Sequence, residues 1–396
     1  MDTKRSEKST KAPLLAIIPF FFALIFFAAW SFVDADNEYS EAEARYLAQR
    51  PNINFEHLDW TISGLEDYAV DQFPARSQFL KAYSRLELLQ HKTFTRDVFV
   101  EGDWIFSRTY AMTGKGLEAF ENDRREFVTA TESVAARGIP TVFAMLPVKN
   151  YLVEIEPSLH VDDASEANRQ KYLAAFDGSS VLVSDIAGAM AEQDEATRMS
   201  QWYATDFHWN GDGAYAAAEQ LLSDMADAGI MPSVELSDLV ERSEWDAEYH
   251  GDLSRRFSYL IPETQPVVVY APKDVSGMRY YKSLDSSESV ERSKIVAAGE
   301  GEPVVDYGSA YTLNFACYRV ENANAAGDMR VVVFKDSLEN AMTDILSAVF
   351  SELVVVDVRF EQPADVDAIL ADADAAVFIF HQNNNAPDTS KFVLGK

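Results

Sequence analysis

Apolar and polar positions divide the chain into regions of different character, and the most apolar region lies near the amino terminus. Residues 12–33 form a run without a charged side chain. A helix needs about 20 apolar residues to cross a bilayer, whereas the apolar core of a signal peptide has roughly 7–15. Basic residues precede the run and acidic residues come after it, a bias that places the amino terminus in the cytoplasm. We therefore predict a cytoplasmic tip and a retained single-pass membrane anchor over residues 1–33, with the rest of the chain extracytoplasmic.

The next region, residues 34–95, is more polar and has apolar positions at helical spacing. A turn-rich patch from Asp71 to Arg76 interrupts that spacing. No internal repeat or low-complexity linker separates this region from the residues after 95. We predict a helical, membrane-proximal segment that packs on the main domain.

Strands and helices alternate through the main domain, residues 96–396. Thr141 to Leu146 is an apolar run between two prolines, which predicts a buried strand. Near the carboxyl terminus the pattern predicts strands over 331–334, 353–358 and 376–380, and helices over 337–350 and 364–372. Helices between strands indicate a mostly parallel sheet covered on both faces. The predicted fold class is α/β, with three layers in the order α/β/α.

Residues 255–325 depart from this alternation. Short runs of β-branched and aromatic residues, such as Val267 to Tyr270 and Tyr311 to Phe315, are separated by polar turns. Such runs favour strands over helices. We predict a β-rich insertion within the main domain.

Charge and composition narrow the class of partner. The formal net charge is -30, and so much negative charge repels nucleic-acid phosphates, which excludes DNA and RNA as expected partners. With 47% hydrophobic residues the chain can bury a substantial core. The single cysteine, Cys317, excludes an intrachain disulfide and a cysteine-rich zinc site. Its apolar neighbours predict a buried thiol.

The run Val331 to Leu338 contains the first candidate for chemistry. A buried strand ends there, and a helix is predicted to begin at Ser337. Ligands of open parallel sheets collect at the carboxyl ends of strands, and the first amides of a helix can stabilise an oxyanion. Ser337 is therefore a candidate nucleophile. The alternative is that Asp336 or Ser337 only caps the helix.

Asp206 and His208 form the second candidate. They are close enough in sequence for a loop to join them by a hydrogen bond, which fixes the imidazole tautomer for proton transfer. Ser337 lies 337 − 208 = 129 residues later, so only tertiary folding can bring the three together. The alternative is a buried histidine with a structural partner.

Other candidate sites have less support. No two of the six histidines have the i, i+4 spacing of a helical zinc site, and we expect neither a metal nor a cofactor. The one conceivable metal set combines Asp206 and His208 with His250 and Asp252. Arg359 ends a predicted strand and is either an anion or sugar contact or part of a salt bridge. The run of residues 383–385, all asparagine, either lines the same cleft or forms a solvated loop.

Several segments together resemble a known family. Asp206-Phe207-His208-Trp209, followed by Gly211-Asp212-Gly213-Ala214-Tyr215, resembles the signature of the DHHW proteins and of the related alginate O-acetylation proteins. Further segments that resemble the family, in the same order, are Glu66–Arg76, Glu101–Phe106, His250–Leu253, and Phe334–Ser337 with Asn340 and Ala341. The resemblance covers most of the chain after residue 40.

The resemblance implies an SGNH-hydrolase-like fold in permuted order. It implies Ser337 as nucleophile, His208 as general base and Asp206 as the carboxylate that orients the base. Two positions depart from the family pattern. Phe207 replaces the first histidine of the signature, and Lys335 stands where many SGNH hydrolases have glycine.

The function that the resemblance implies is acetyl transfer to, or acetyl removal from, an exported or cell-envelope polysaccharide. Arg359, Asn340 and Trp209 are the predicted substrate contacts, and a multispanning membrane acyltransferase is the expected partner. Two alternatives stay open. One is a non-catalytic, membrane-tethered polysaccharide-binding or scaffold protein, and the other is a metal-dependent hydrolase, ranked last.

Overall fold

The computed structural model describes residues 11–31, 33–40, 43, 45–92, 94–95, 98–107, 114–153, 164–360 and 366–383; for 11–16 and 94–95 it describes the backbone only. The predicted cytoplasmic tip before residue 11, and two of the three asparagines at 383–385, lie outside these ranges. The chain divides into two compact units, Met1–His91 with Arg255–Leu260, and Lys92–Ser254 with Ile261–Lys396.

The first unit is mainly helical. Its elements are α1 (Lys11–Ser31), β1 (Tyr39–Ser40), β2 (Arg45–Tyr46), α2 (Leu58–Asp71) and α3 (Arg76–Leu89). The turn-rich patch in the sequence separates α2 from α3. Asp71, the last residue of α2, is buried and accepts hydrogen bonds from the guanidinium of Arg45 and from the amide of Ala48.

Helix α1 corresponds to the apolar run at the amino terminus. Near its carboxyl end, the ring of Phe27 packs on Phe73 and Phe79, with centroid separations of 4.9 and 5.8 Å. Over the described ranges, the structure contains no helix that is both long enough and apolar enough for a membrane span. The anchor predicted over residues 1–33 therefore stays a prediction.

The second unit contains the remaining elements. Those before residue 260 are β3 (Phe94–Thr95), β4 (Val98–Glu101), β5 (Trp104–Ser107), α4 (Lys115–Ala135), β6 (Thr141–Leu146), α5 (Lys149–Leu152), α6 (Ser165–Ala175), β7 (Leu182–Ser184), α7 (Ile186–Ala191), α8 (Glu195–Ser200), α9 (Gly211–Asp227), α10 (Leu236–Leu239), β8 (Val240–Trp245), β9 (Glu248–Tyr249) and α11 (Asp252–Arg255), whose last residue belongs to the first unit. Those after it are β10 (Val267–Pro272), β11 (Met278–Tyr281), β12 (Val304–Val305), α12 (Tyr307–Ala310), β13 (Cys317–Asn322), β14 (Gly327–Lys335), α13 (Thr343–Val349), β15 (Phe350–Asp357), α14 (Val366–Ile369) and β16 (Ala375–His381).

Seven strands form the central sheet, in the order β11-β13-β15-β14-β16-β6-β7. Strand β14 pairs in parallel with both β15 and β16, and the parallel pairing continues through β6 to β7. Strand β13 is antiparallel to both of its neighbours. The sheet is therefore mixed, with β14 at its centre.

Apolar residues cover both faces of the sheet because successive side chains of a strand point to opposite sides. In β14, Val331 and Val333 belong to one hydrophobic core, and Val332 and Phe334 belong to another. Helices α7, α9 and α13 contribute to the first core, and α4, α6 and α14 contribute to the second. The fold is thus α/β with helices on both faces of the sheet, as the sequence predicts. The sequence predicts a mostly parallel sheet, but the sheet is mixed, because β13 pairs antiparallel with both β11 and β15.

The interval 255–325 is not separate from the sheet. It supplies β11 and β13, and its strands β10 and β12 pair with β8 and β9, which precede it. Tyr318 and Val320 of β13 pack in the first core, and Cys317 is buried in the second. Polar residues between these strands give the sequence its insertion-like pattern, but the strands bury their apolar faces on the main core.

Candidate active site

Ser337 lies directly beyond the central strand of the sheet. The helix predicted from this residue is instead a short 3-10 helix, Ser337–Ala341, and α13 begins at Thr343. Asp336 caps the 3-10 helix, since its Oδ1 accepts the amide of Leu338 at 3.0 Å. Between residues 331 and 350 every residue except Ser337 is buried. The cap and the candidate nucleophile are therefore two neighbouring residues, and the serine hydroxyl is accessible.

Asp206, His208 and Ser337, the three residues predicted to act together, are joined by hydrogen bonds in that order. Nε2 of His208 lies 2.9 Å from Oγ of Ser337, and Nδ1 lies 2.8 Å from Oδ1 of Asp206. His208 and Asp206 are buried in a loop directly before α9. The fold closes the gap of 129 residues because that loop meets the end of β14 at the carboxyl edge of the sheet.

The environment of Asp206 favours its ionised form. Burial by itself raises the pKa of this carboxyl, but His208 and the hydrogen bonds from the Asp252 amide and the Tyr249 hydroxyl outweigh it and hold the pKa at about 2. Tyr249 Oη and the Asp252 amide lie 2.9 and 3.0 Å from Oδ2. One carboxylate oxygen thus faces the imidazole, and the other is held in place.

The segment His250–Leu253 packs against this loop and binds its backbone. The amides of Leu253 and Ser254 both donate to the carbonyl of Thr205 at 3.1 Å. Gly251 lies so close to Thr205 that a Cβ atom would collide with the hydroxyl and the carbonyl of that residue. The segment therefore positions Asp206 through its backbone.

Aromatic side chains connect His208 to the serine turn. The ring of Tyr307 stacks on the imidazole, with centroids 3.8 Å apart. The Tyr307 hydroxyl and Nε1 of Trp209 both donate to the carbonyl of Leu338, at 3.0 and 2.9 Å. Trp209 is 0% exposed, so the prediction that it contacts substrate is corrected: its indole supports the turn that carries Ser337.

Lys335 and Asn340 lie in a buried polar cluster beside that turn. Lys335 is 0% exposed, and its Nζ bonds to Oδ1 of Asn340 and lies 3.7 Å from Oε2 of Glu339 and 4.0 Å from Oδ2 of Asp357. Burial lowers the pKa of Lys335 and raises that of Glu339 to about 7. Asn340 is 2% exposed and donates to the Thr312 carbonyl at 3.0 Å. Its predicted substrate contact is likewise corrected to a structural role.

Arg359 forms the salt bridge that is one of its two predicted roles, and its contact with an anion or sugar stays a prediction. Its Nε and Nη2 donate to Asp357 at 2.8 and 2.5 Å, and Nη2 lies 3.5 Å from Oδ1 of Asn314. Asp357 is fully buried, while 45% of the Arg359 side chain is exposed. The guanidinium therefore pairs with a buried carboxylate, while part of its side chain remains exposed.

The sequence predicts that the first amides of a helix at Ser337 would stabilise an oxyanion, and the structure limits which of those amides is available. Of the first helix amides, that of Leu338 is already bound by Asp336. The amide of Ser337 opens the 3-10 helix, where intrahelical acceptors are lacking, so it is the candidate donor. No group of three or more potential metal ligands occurs within the described residues; His250 bonds instead to Glu248, at 3.2 Å.

Sequence reasoning missed Tyr249 and Tyr307. Tyr249 donates to Asp206, and Tyr307 stacks on His208 and donates to the carbonyl of Leu338, all across large sequence separations. Tyr249 directly precedes the His250–Leu253 segment, which is the one local signal that could have drawn attention to it. Tyr307 has no such signal, since it comes after an ordinary Val-Val-Asp sequence.

Comparison with known proteins identifies a family model that matches part of this chain. Residues 98–290 match the family model described as SGNH hydrolase-like domain, acetyltransferase AlgX; this range includes Asp206 and His208 and ends before Ser337. Among curated proteins, none matches the sequence.

Two solved structures share the fold at low sequence identity. Bacillus cereus PatB1 with a sulfonyl adduct is 18% identical, with a TM-score of 0.61 over 74% of this chain and 98% of that chain. A DHHW family protein from Eubacterium siraeum is also 18% identical, with a TM-score of 0.57 over 77% and 99%. The resemblance predicted from the sequence is confirmed: residues 98–290 match the model of an SGNH hydrolase-like domain, and the fold is shared with a DHHW family protein.

Proposed function

We propose that the protein is a serine-dependent O-acetyltransferase or acetylesterase that acts on a polysaccharide. The observation that carries the proposal is the chain of hydrogen bonds from Asp206 through His208 to the accessible hydroxyl of Ser337, at 2.8 and 2.9 Å. A buried carboxylate, an imidazole and a hydroxyl in this order activate a nucleophile for acyl transfer. The match to an acetyltransferase family model supports acetyl as the acyl group.

The reaction proceeds in two half-steps. Ser337 Oγ attacks the acetyl carbonyl of the donor, and its proton passes to Nε2 of His208. The leaving group of the donor then takes that proton as it departs, which leaves an acetyl ester on Ser337. A sugar hydroxyl or water next gives its proton to His208 and attacks the ester, and the freed Ser337 oxygen takes the proton back.

Each supporting group has a defined task in this scheme. Asp206 stays ionised and stabilises the imidazolium that forms in both half-steps. The amide of Ser337 stabilises the tetrahedral oxyanion. The exposed part of Arg359 contacts a carboxylate or hydroxyl of the glycan, since the guanidinium is a donor of several hydrogen bonds and its fork matches carboxylate geometry.

The proposed setting is the outer side of the cytoplasmic membrane. The uncharged run at residues 12–33 and the charges that flank it support a single-pass anchor with its amino terminus in the cytoplasm. An anchored acetyltransferase needs an acetyl donor on that side of the membrane, and a multispanning acyltransferase would supply it.

The proposal is tested with Ser337→Ala and the control Ser237→Ala, which removes an exposed hydroxyl from another part of the same unit. Release of 4-nitrophenol from 4-nitrophenyl acetate measures hydrolysis, and acetyl gain by an added polysaccharide measures transfer. We expect Ser337→Ala to lose both activities, with an unchanged melting temperature, and Ser237→Ala to keep them. A folded Ser337→Ala protein with wild-type rates in both assays would overturn the proposal.

A further inference from the structure

A buried lysine that the proposed reaction does not use binds the loop that carries Asp206. Lys149 is 2% exposed. Its Nζ donates to the carbonyl oxygens of Tyr203 and Ala204 at 3.0 Å and to that of Asp206 at 2.5 Å. An ammonium has three donors and no acceptor, so three carbonyls use every proton that a charged lysine offers.

A carboxylate binds the amides of the same loop. Glu263 accepts hydrogen bonds from the amides of Ala204 and Thr205, at 2.9 and 2.8 Å, and from the Thr205 hydroxyl at 2.6 Å. Residues 203–206 belong to no helix or strand, and regular secondary structure therefore does not fix their backbone. A cation on the carbonyls and an anion on the amides add to the backbone bonds that Ile105, Leu253 and Ser254 donate to this loop.

The charged groups that face Lys149 are the carboxylates of Glu263 and Asp206. The rings of Trp104 and Phe106, on β5, lie 5.4 and 5.1 Å from Nζ. Burial lowers the pKa of Lys149 to about 7, although both carboxylates act to raise it. Protonated and neutral lysine are then both populated near neutral pH.

Helices α6, α7 and α8 also pack on α5. Their charged side chains have other partners or are exposed: Glu166 bonds to Tyr151, Arg169 to Asp185, Lys171 to Glu121 and Arg198 to the Ala191 carbonyl, and Glu195 is exposed. None of these groups is among those that shift the pKa of Lys149.

We propose that Lys149 is a positioning residue: its ammonium fixes the backbone of residues 203–206 and so holds the Asp206 carboxylate on His208. The inference rests on the proposed function, because it requires the chain of Asp206, His208 and Ser337 to be the reacting group. A neutral amine has two protons, and it can keep only two of the three hydrogen bonds that the ammonium donates to this loop. Catalysis therefore weakens when Lys149 loses its proton.

The test compares Lys149→Met, which keeps the length of the side chain and removes its donors, with Lys149→Arg, which keeps a charge at every accessible pH. Lys171→Met, on the surface of α6, is the matched control. Hydrolysis of 4-nitrophenyl acetate by the full-length protein gives kcat and KM between about pH 6 and 9. A displacement near 1 Å in a catalytic group costs about 100-fold in rate.

We expect Lys149→Met to lower kcat by about 100-fold with little change in KM. The kcat of the wild-type protein should fall above about pH 7, and this fall should be absent from both Lys149→Met and Lys149→Arg over the measured range, because neither side chain loses a proton there. Lys171→Met should match the wild-type protein. A purely structural lysine would change the melting temperature without changing the pH profile.

Two results would overturn the proposal. One is a Lys149→Met protein with the kcat and pH profile of the wild type; the other, which needs no variant to fold, is a wild-type kcat that stays constant from about pH 7 to 9. Ser337→Ala, measured in parallel, separates the two proposals. Activity in Ser337→Ala would refute the proposed function. Loss of activity in Ser337→Ala together with full activity in Lys149→Met would refute only the role of Lys149.

Discussion

The ring of Tyr307 lies flat against the imidazole of His208, with centroids 3.8 Å apart and planes inclined by 7°. The hydroxyl of the same tyrosine donates to the carbonyl of Leu338, the residue after the candidate nucleophile. One buried side chain therefore fixes the plane of the His208 ring and the position of the turn that carries Ser337.

Substitutions at Tyr307 separate these two contributions. Tyr307→Phe removes one hydrogen bond and keeps the stack, and Trp209 still donates to the Leu338 carbonyl. A typical hydrogen bond contributes about 1 kcal/mol, so we expect kcat to fall about fivefold. Tyr307→Leu also removes the stack, which is worth about 1 kcal/mol more, and should reduce kcat about 30-fold. Steady-state hydrolysis of an acetyl ester measures both, and equal kcat values for the two variants would contradict a role for the stack.

Trp209→Phe tests whether this residue supports the serine turn or binds substrate. A residue with 0% exposure cannot touch a glycan, so the loss should fall on kcat, by about fivefold, with KM unchanged. The kinetics are measured with a polysaccharide acceptor. A raised KM at constant kcat would instead support the sequence-based prediction of a substrate contact.

Asp206 makes stability depend on pH in the acid range. Its pKa in the folded protein is about 2, below the value of about 3.9 in an unfolded chain. The stabilisation is therefore complete above about pH 4 and is lost as the pH falls through 2, an effect of about 2.6 kcal/mol. Urea unfolding at several pH values should show a steeper acid loss for the wild type than for Asp206→Asn. Parallel curves for the two proteins would contradict the assigned ionisation.

A substitution at Gly251 tests whether the close packing of the His250–Leu253 segment on Thr205 positions the Asp206 loop. In Gly251→Ala the added methyl group collides with the hydroxyl and carbonyl of Thr205, so the loop must move and activity should fall with stability. Gly116→Ala is the matched control, because its Cβ meets no atom within 4 Å and alanine favours the helix. Thermal melting and ester hydrolysis measure both variants. A Gly251→Ala protein as stable and active as Gly116→Ala would show that the close approach to Thr205 does not position the loop.

The sequence predicts those features that depend on local pattern. The continuous apolar run Thr141–Leu146 is a buried strand with these bounds in the structure, because a strand buried on both faces needs no polar alternation. The prediction of an α-helix from Ser337 is wrong. The Asp336 cap and the buried Lys335 cluster hold the first turn as a 3-10 helix, and apolar spacing does not report such contacts.

The site residues likewise divide into those that a local sequence pattern reveals and those that only the folded chain reveals. Asp206, His208 and Ser337 could be found because each lies in a recognisable local segment. Lys149 and Tyr307 act through contacts with residues far away in sequence, such as the carbonyl of Asp206 and that of Leu338. Nothing in their immediate neighbours separates them from ordinary core residues. Burial indicates whether Trp209 and Asn340 contact substrate or support the serine turn. Burial is a property of the folded chain, so the sequence does not report it.

Trapping the acyl-enzyme tests the assignment of Ser337 as nucleophile most directly. The full-length protein is mixed with 4-nitrophenyl acetate, quenched in acid and digested, and the peptides are analysed by mass spectrometry. We expect one acetyl group on the peptide that contains Ser337 in the wild type, and none on that peptide in His208→Ala, which lacks the base. Acetyl groups on other residues with Ser337 unmodified, or equal acetylation of Ser337 in wild type and His208→Ala, would contradict the assignment.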